Sequence, residues 1–178
     1  MKVAAYCGSR PGVRPEYMEF AAKFGKALAE NGHTLVFGGS HVGLMGAVAN
    51  GVLDNGGNVI GVVPDVEYIK SVEHKTLTKT YYTATMSERR NKMIELSDVY
   101  VVLPGGPGTL DEMSEVYCLN QLDIDKKPCI MANVAGYYDM LKAFYTQMMT
   151  EGFLVDDSLD ELILVSSVEE IIDIIARL

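Results

Sequence analysis

Short apolar runs recur along the chain at residues 2–7, 34–37, 58–63, 99–103, 128–132 and 162–165. Each is four to six residues of mostly Val, Ile, Leu, Ala and Tyr, the length and composition of a strand buried on both faces. Segments with helical spacing lie between most of them. Tyr17, Phe20, Ala21, Phe24, Ala27 and Leu28 mark one apolar stripe, which Asn31-Gly32 ends. Residues 42–53 carry a second stripe, stopped by Asn55-Gly56-Gly57, and residues 86–96, 110–122, 137–149 and 168–178 supply four more. Strand and helix in alternation predict a parallel sheet with helices on both faces, a Rossmann-like α/β fold. Residues 64–85 break the rhythm and read as a loop followed by a short strand. A long excursion on the carboxyl side of a strand is where α/β proteins build pockets.

A chain of 178 residues is expected to form one domain with a real core, and 48% hydrophobic with 22% charged residues suits a soluble globular protein. The net charge of −9 removes the electrostatic footprint needed for a nucleic-acid polymer, though not for a small anion held by local donors. No apolar run approaches the ~18 residues of a membrane span, and MKVAAYCGS is too soon interrupted for a signal peptide. A cytoplasmic location is expected. Cys7, Cys118 and Cys129 form no CxxC pattern, so buried thiols are expected and no metal site.

The densest chemistry follows the run at 99–103, in the segment LPGGPGTLDEMSE at residues 103–115. A Gly-rich turn entering a helix leaves backbone N–H groups free where the helix dipole is positive, which favours an anion. Thr109 reads as the helix cap, with Glu112 three residues later as in a capping box. The first run ends in Cys7-Gly8-Ser9-Arg10 and the second in Gly38-Gly39-Ser40. In a parallel sheet all three polar loops meet at one edge, as expected for a phosphate-bearing small ligand. No Lys follows the glycines as in a P-loop, and no clean GxGxxG with a later acid is present. Arg89 and Arg90 open a helix where acids would normally stand, so they call for a carboxylate such as Glu112 or a ligand phosphate.

With these residues in view, the chain resembles the LONELY GUY family of cytokinin riboside 5′-monophosphate phosphoribohydrolases, many once labelled possible lysine decarboxylases. The family signature PGGxGTxxE stands in full from Pro104 to Glu112. CGS at residues 7–9, GGxxxGLMGxVA at 38–49, GGxVxGVxP at 56–64, MxxR at 86–89 and GYYD at 136–139 follow the family pattern. So do the shorter LSD at 96–98, QL at 121–122, KP at 127–128 and GF at 152–153. There are departures. Arg90 replaces a usual Lys, Ser87 a usual His, Asp111 the first of a usual Glu pair, and Arg10 a second Ser found in many members. A substrate-contacting Glu of the family falls near Ser71, with Glu73 the nearest acid.

The resemblance implies hydrolysis of the N-glycosidic bond of an N6-modified adenosine monophosphate, with no metal and no organic cofactor. It assigns Arg89 and Glu112 to catalysis, with Arg90 and Asp111 beside the nucleotide. The backbone of Gly106, Pro107, Gly108 and Thr109 and the Thr109 hydroxyl would hold the phosphate, with Gly105 also binding substrate, and Gly8, Ser9, Gly39 and Ser40 would complete the pocket. It also implies a homodimer, for which the broad apolar surface of residues 110–122 is suited, although a helix packed on two sides of one core explains that breadth equally. A broader purine nucleotide glycosidase and a nucleotide or molybdopterin carrier stand as alternatives on the same fold.

Overall fold

The computed structural model describes residues 1–154 and 162–178. Its strands are β1 (Lys2–Tyr6), β2 (Thr34–Phe37), β3 (Asn58–Pro64), β4 (Lys79–Thr83), β5 (Val99–Val102), β6 (Cys129–Ala132) and β7 (Leu162–Val165). The α-helices are α1 (Pro15–Glu30), α2 (Gly43–Leu53), α3 (Glu67–Ser71), α4 (Met86–Leu96), α5 (Pro107–Gln121), α6 (Asp139–Thr150) and α7 (Val168–Ile175). All seven strands are parallel in one sheet of order β4-β3-β2-β1-β5-β6-β7.

Alternate strand residues point to opposite faces, and both faces are apolar. Val3, Ala5 and Cys7 of the first strand and loop face a core shared with α1, α2 and α7. Ala4 and Tyr6 face a second core with Met93 of α4, Met113 and Val116 of α5 and Tyr145 of α6. The two layers of helices predicted from the alternation are therefore present. The chain builds outward from β1 to β4 and then returns to the other side of β1 to lay down β5. This reversal opens a crevice at the carboxyl ends of β1 and β5, where α/β proteins bind ligands.

The segment at 64–85 is more ordered than a loop and strand, since it also holds the five-residue helix α3. It is fastened to the β2 loop by a bridge between Ser40 and Glu73, with His41 N donating to Val72 O at 2.9 Å and His74 N to Gly39 O at 2.8 Å. Another correction concerns α5. Its N-cap is Gly106, with Pro107 in the first turn, so Thr109 is the third helical residue rather than the cap. Glu112 consequently belongs to no capping box. Of the cysteines, Cys7 and Cys129 are buried as expected, while Cys118 on α5 is exposed.

Candidate active site

A cavity of about 760 Å³ opens at the crevice between β1 and β5. The loops after those strands are joined by a hydrogen bond from Gly8 N to Pro104 O at 3.0 Å. The β1 loop is pinned to α2 as well, because Leu44 N donates to Gly8 O at 3.0 Å. Gly43 makes this seat possible. It has φ +60, and a Cβ there would lie 2.3 Å from the Ser9 carbonyl carbon. The three loops expected to converge do so, with Gly8, Ser9 and Ser40 lining the cavity together with Gly105–Thr109.

The floor is an ion pair. Arg89 Nη1 donates to Glu112 Oε1 at 2.7 Å, both side chains being 7% exposed. Arg89 Nε also donates to the Val62 carbonyl at 3.3 Å, which orients the guanidinium from the sheet side. Gly38 leaves room for it, since a Cβ there would stand 2.1 Å from Arg89 Nη2. Burial lifts the Glu112 carboxyl above its ordinary value, and the adjacent Arg89 opposes that lift. A buried carboxylate poised in this way is available to take or stabilise positive charge.

Beside the pair, α5 presents its N-terminus with no side-chain cap. Its first N–H groups have no intrahelical partner, the first helical bond being Leu110 N to Gly106 O. Thr109 is 3% exposed and lines the cavity, and its hydroxyl has no hydrogen-bond partner among the described residues. Buried hydroxyls are normally bonded, so a ligand oxygen is the natural partner here. Tyr137 braces the same loop by donating its hydroxyl to Gly105 O at 2.6 Å, while Tyr138 donates to Leu103 O at 2.7 Å.

Three residues expected at the site lie outside its lining. Arg90 faces away from the cavity and binds Glu115 at 2.7 Å and Asp111 at 3.2 Å, so its anion is a pair of helix carboxylates. Asp111 is thereby engaged on the outer face of α5. Gly39, at φ +82, makes the turn behind Ser40. Neither Ser71 nor Glu73 reaches the cavity. Ser71 bonds the Tyr68 carbonyl at 2.7 Å, and Glu73 takes Tyr82 at 2.7 Å and Lys75 at 2.9 Å. The α3 wall offers Tyr68, Ile69 and Val72 instead. These apolar contributors and Tyr137 escaped the sequence reading, as did Arg10 in its capacity as a lining residue. For Tyr137 the GYYD match was the available signal.

Among the described residues no cluster of three His, Cys, Asp or Glu is suited to hold a metal. No helix among them is long and apolar enough to cross a membrane.

A family model described as possible lysine decarboxylase matches residues 45–175. The cytokinin riboside 5′-monophosphate phosphoribohydrolase of Rhodococcoides fascians is 36% identical over 168 residues, covering 94% of this chain and 85% of that one. The chain belongs to the LONELY GUY family. The family member LOG of Oryza sativa subsp. japonica, a cytokinin riboside 5′-monophosphate phosphoribohydrolase, is 39% identical over 157 residues. That match covers 88% of this chain, which spans 65% of the rice protein's length. The fold is shared more widely. The molybdenum cofactor binding protein of Rippkaea orientalis superposes with a TM-score of 0.74 at 23% identity, covering 99% of this chain and 94% of that one.

Proposed function

We propose that this protein is a nucleotide N-glycosidase that hydrolyses N6-modified adenosine 5′-monophosphates to the free base and ribose 5-phosphate. The observation that carries the reading is the buried Arg89–Glu112 pair beside an uncapped helix N-terminus with an unpartnered Thr109 hydroxyl. The names of the rice and Rhodococcoides relatives support the same reaction and substrate class.

In this reading the phosphate sits against Gly106, Gly108 and Thr109, where the dipole and free N–H groups favour it. That places the ribose over Glu112. The C1′–N9 bond breaks with its electron pair leaving on the base, and the ribosyl centre becomes oxocarbenium-like. Glu112 stabilises that cation and receives a proton from the water that adds at C1′. That proton passes from Glu112 through solvent to the departing base, which leaves neutral and returns Glu112 to its carboxylate form. Arg89 favours the ionised form of Glu112 and orients it. Ser9 and Ser40 complete the polar side of the pocket, and Tyr68, Ile69 and Val72 the apolar side.

The setting proposed is cytoplasmic, with two copies assembled as a homodimer. Leu110 and Cys118 of α5 and Leu122 at its C-cap are exposed, Leu122 by 67%. On neighbouring α6, Met140 and Phe144 stand one turn apart and are also exposed.

The test is incubation of the purified protein with isopentenyl-AMP and with AMP, following base and ribose 5-phosphate by chromatography. Glu112→Gln is the informative variant because it keeps the shape of the side chain; removing one partner of a buried pair outright costs about 3–5 kcal/mol. It should lower turnover by at least ~100-fold while nucleotide binding survives. Retention of most activity would sink the catalytic role of Glu112. Release mainly from AMP would favour the broader glycosidase, and binding without release from either nucleotide would favour a carrier.

A further inference from the structure

The charged residues of the cavity lining are Arg10, Arg89 and Glu112. Arg89 and Glu112 neutralise one another at 2.7 Å. Arg10 is therefore the uncompensated charge of the lining, and its guanidinium has no carboxylate, carbonyl or ring partner among the described residues.

Its backbone is held within reach of the helix N-terminus. A Cβ placed on Gly8 would lie 3.4 Å from the Arg10 carbonyl oxygen and 3.3 Å from Gly105 Cα. The Ser9–Arg10 peptide is pressed against Gly43, so the loop cannot back away on the α2 side. The loop thus lies against Gly105, the residue before the N-cap of α5, in whose first turn the Thr109 hydroxyl is buried and unpartnered. Backbone N–H groups, a buried hydroxyl and a forked cation thus line one cavity, a donor set suited to a phosphoryl group.

We infer that Arg10 is a specificity-determining residue that grips the 5′-phosphate of the substrate from the cavity mouth, opposite Thr109. The inference takes its ligand from the nucleotide reading above. Arg10 acts on capture of the phosphorylated end, and Glu112 on the glycosidic bond. Its contribution is exposed to solvent and falls as salt rises.

Calorimetry with ribose 5-phosphate and with adenosine tests this without turnover, since neither carries both the phosphate and the scissile bond. Arg10→Ser should weaken ribose 5-phosphate about tenfold at low salt, leave adenosine unchanged, and converge on wild type as salt is raised. Arg10→Lys should recover part of the loss, because it restores the charge without the fork. With isopentenyl-AMP the loss should fall on KM rather than kcat. Unchanged ribose 5-phosphate affinity in Arg10→Ser would overturn the inference. Equal weakening of adenosine would also overturn it, by showing that Arg10 shapes the loop rather than meeting phosphate. Should the protein release no base from any nucleotide, the reaction fails while the ribose 5-phosphate comparison still decides Arg10.

Discussion

Glu112 carries two opposed requirements in one side chain. Burial raises its folded pKa, and Arg89 only partly offsets this. An acid raised on folding is harder to ionise in the native state, so above the raised folded value its buried charge costs stability; that cost fades as pH falls through that value. Catalysis runs the other way, because the carboxylate is the working form. Activity is therefore expected to fall as pH is lowered, with the acid limb of kcat/KM placed above the ordinary glutamate range. A pH–rate profile reads this directly, and the limb should vanish from the residual activity of Glu112→Gln. A midpoint within the ordinary range, or a limb that survives the substitution, would show that another group governs the profile. Arg89 and Arg90 teach a related lesson at the same scale. Adjacent residues on a helix point about 100° apart, so one arginine enters the cavity and the other grips Asp111 and Glu115 outside it. The sequence shows the pair but not the rotational phase of the helix, so it gives no reason to place Arg90 anywhere but beside the nucleotide.

At the level of elements, the strands and most helices were legible because each is set by local periodicity and by stops such as Asn31-Gly32. The start of α5 was not, because Thr109 and Glu112 satisfy the spacing of a capping box while Pro107 satisfies the preference for the first turn. Pro107 prevailed, and this frees Glu112 to turn inward. Helix α3 was missed because five residues give no measurable periodicity. The seat of α2 under the β1 loop supplies an element-level prediction. Gly43→Ala should strain a left-handed backbone and push on the Ser9 peptide, lowering stability by more than about 1 kcal/mol and weakening substrate capture together. Ser167, which caps α7 with Glu170 in a capping box away from the cavity, provides the contrast. Ser167→Ala should cost about 1 kcal/mol, or a Tm loss of roughly 2–4 °C, with KM unaltered. Thermal unfolding and steady-state kinetics on both variants separate the cases, and equal KM values for the two would remove the functional role given to the α2 seat.

For the whole molecule, one topological event creates the site. The return from β4 to β5 beside β1 places the Gly8 and Pro104 loops side by side, and a hydrogen bond joins them. The convergence of loops was readable because a parallel sheet puts all carboxyl ends on one edge, whatever the strand order. What faces outward on α5 and α6 was less readable, since a wide apolar helix serves two cores as well as a partner. Met113, Val116 and Tyr117 are buried, and Tyr117 packs edge-on against Tyr145 of α6 at 5.4 Å, which accounts for the inward part of that width. Leu122, Met140 and Phe144 remain outside, at 67%, 82% and 53% exposure, and no core of the monomer claims them. A second copy is the partner proposed for this face, because exposed large apolar side chains on helices that pack together favour burial against a like surface. Light scattering is then expected to give about twice the 19.5 kDa chain mass. Introducing Leu122→Glu with Phe144→Glu should halve that mass without unfolding the chain, since both positions already stand in solvent. A wild-type mass of one chain, or a dimer indifferent to both charges, would place the association elsewhere or nowhere.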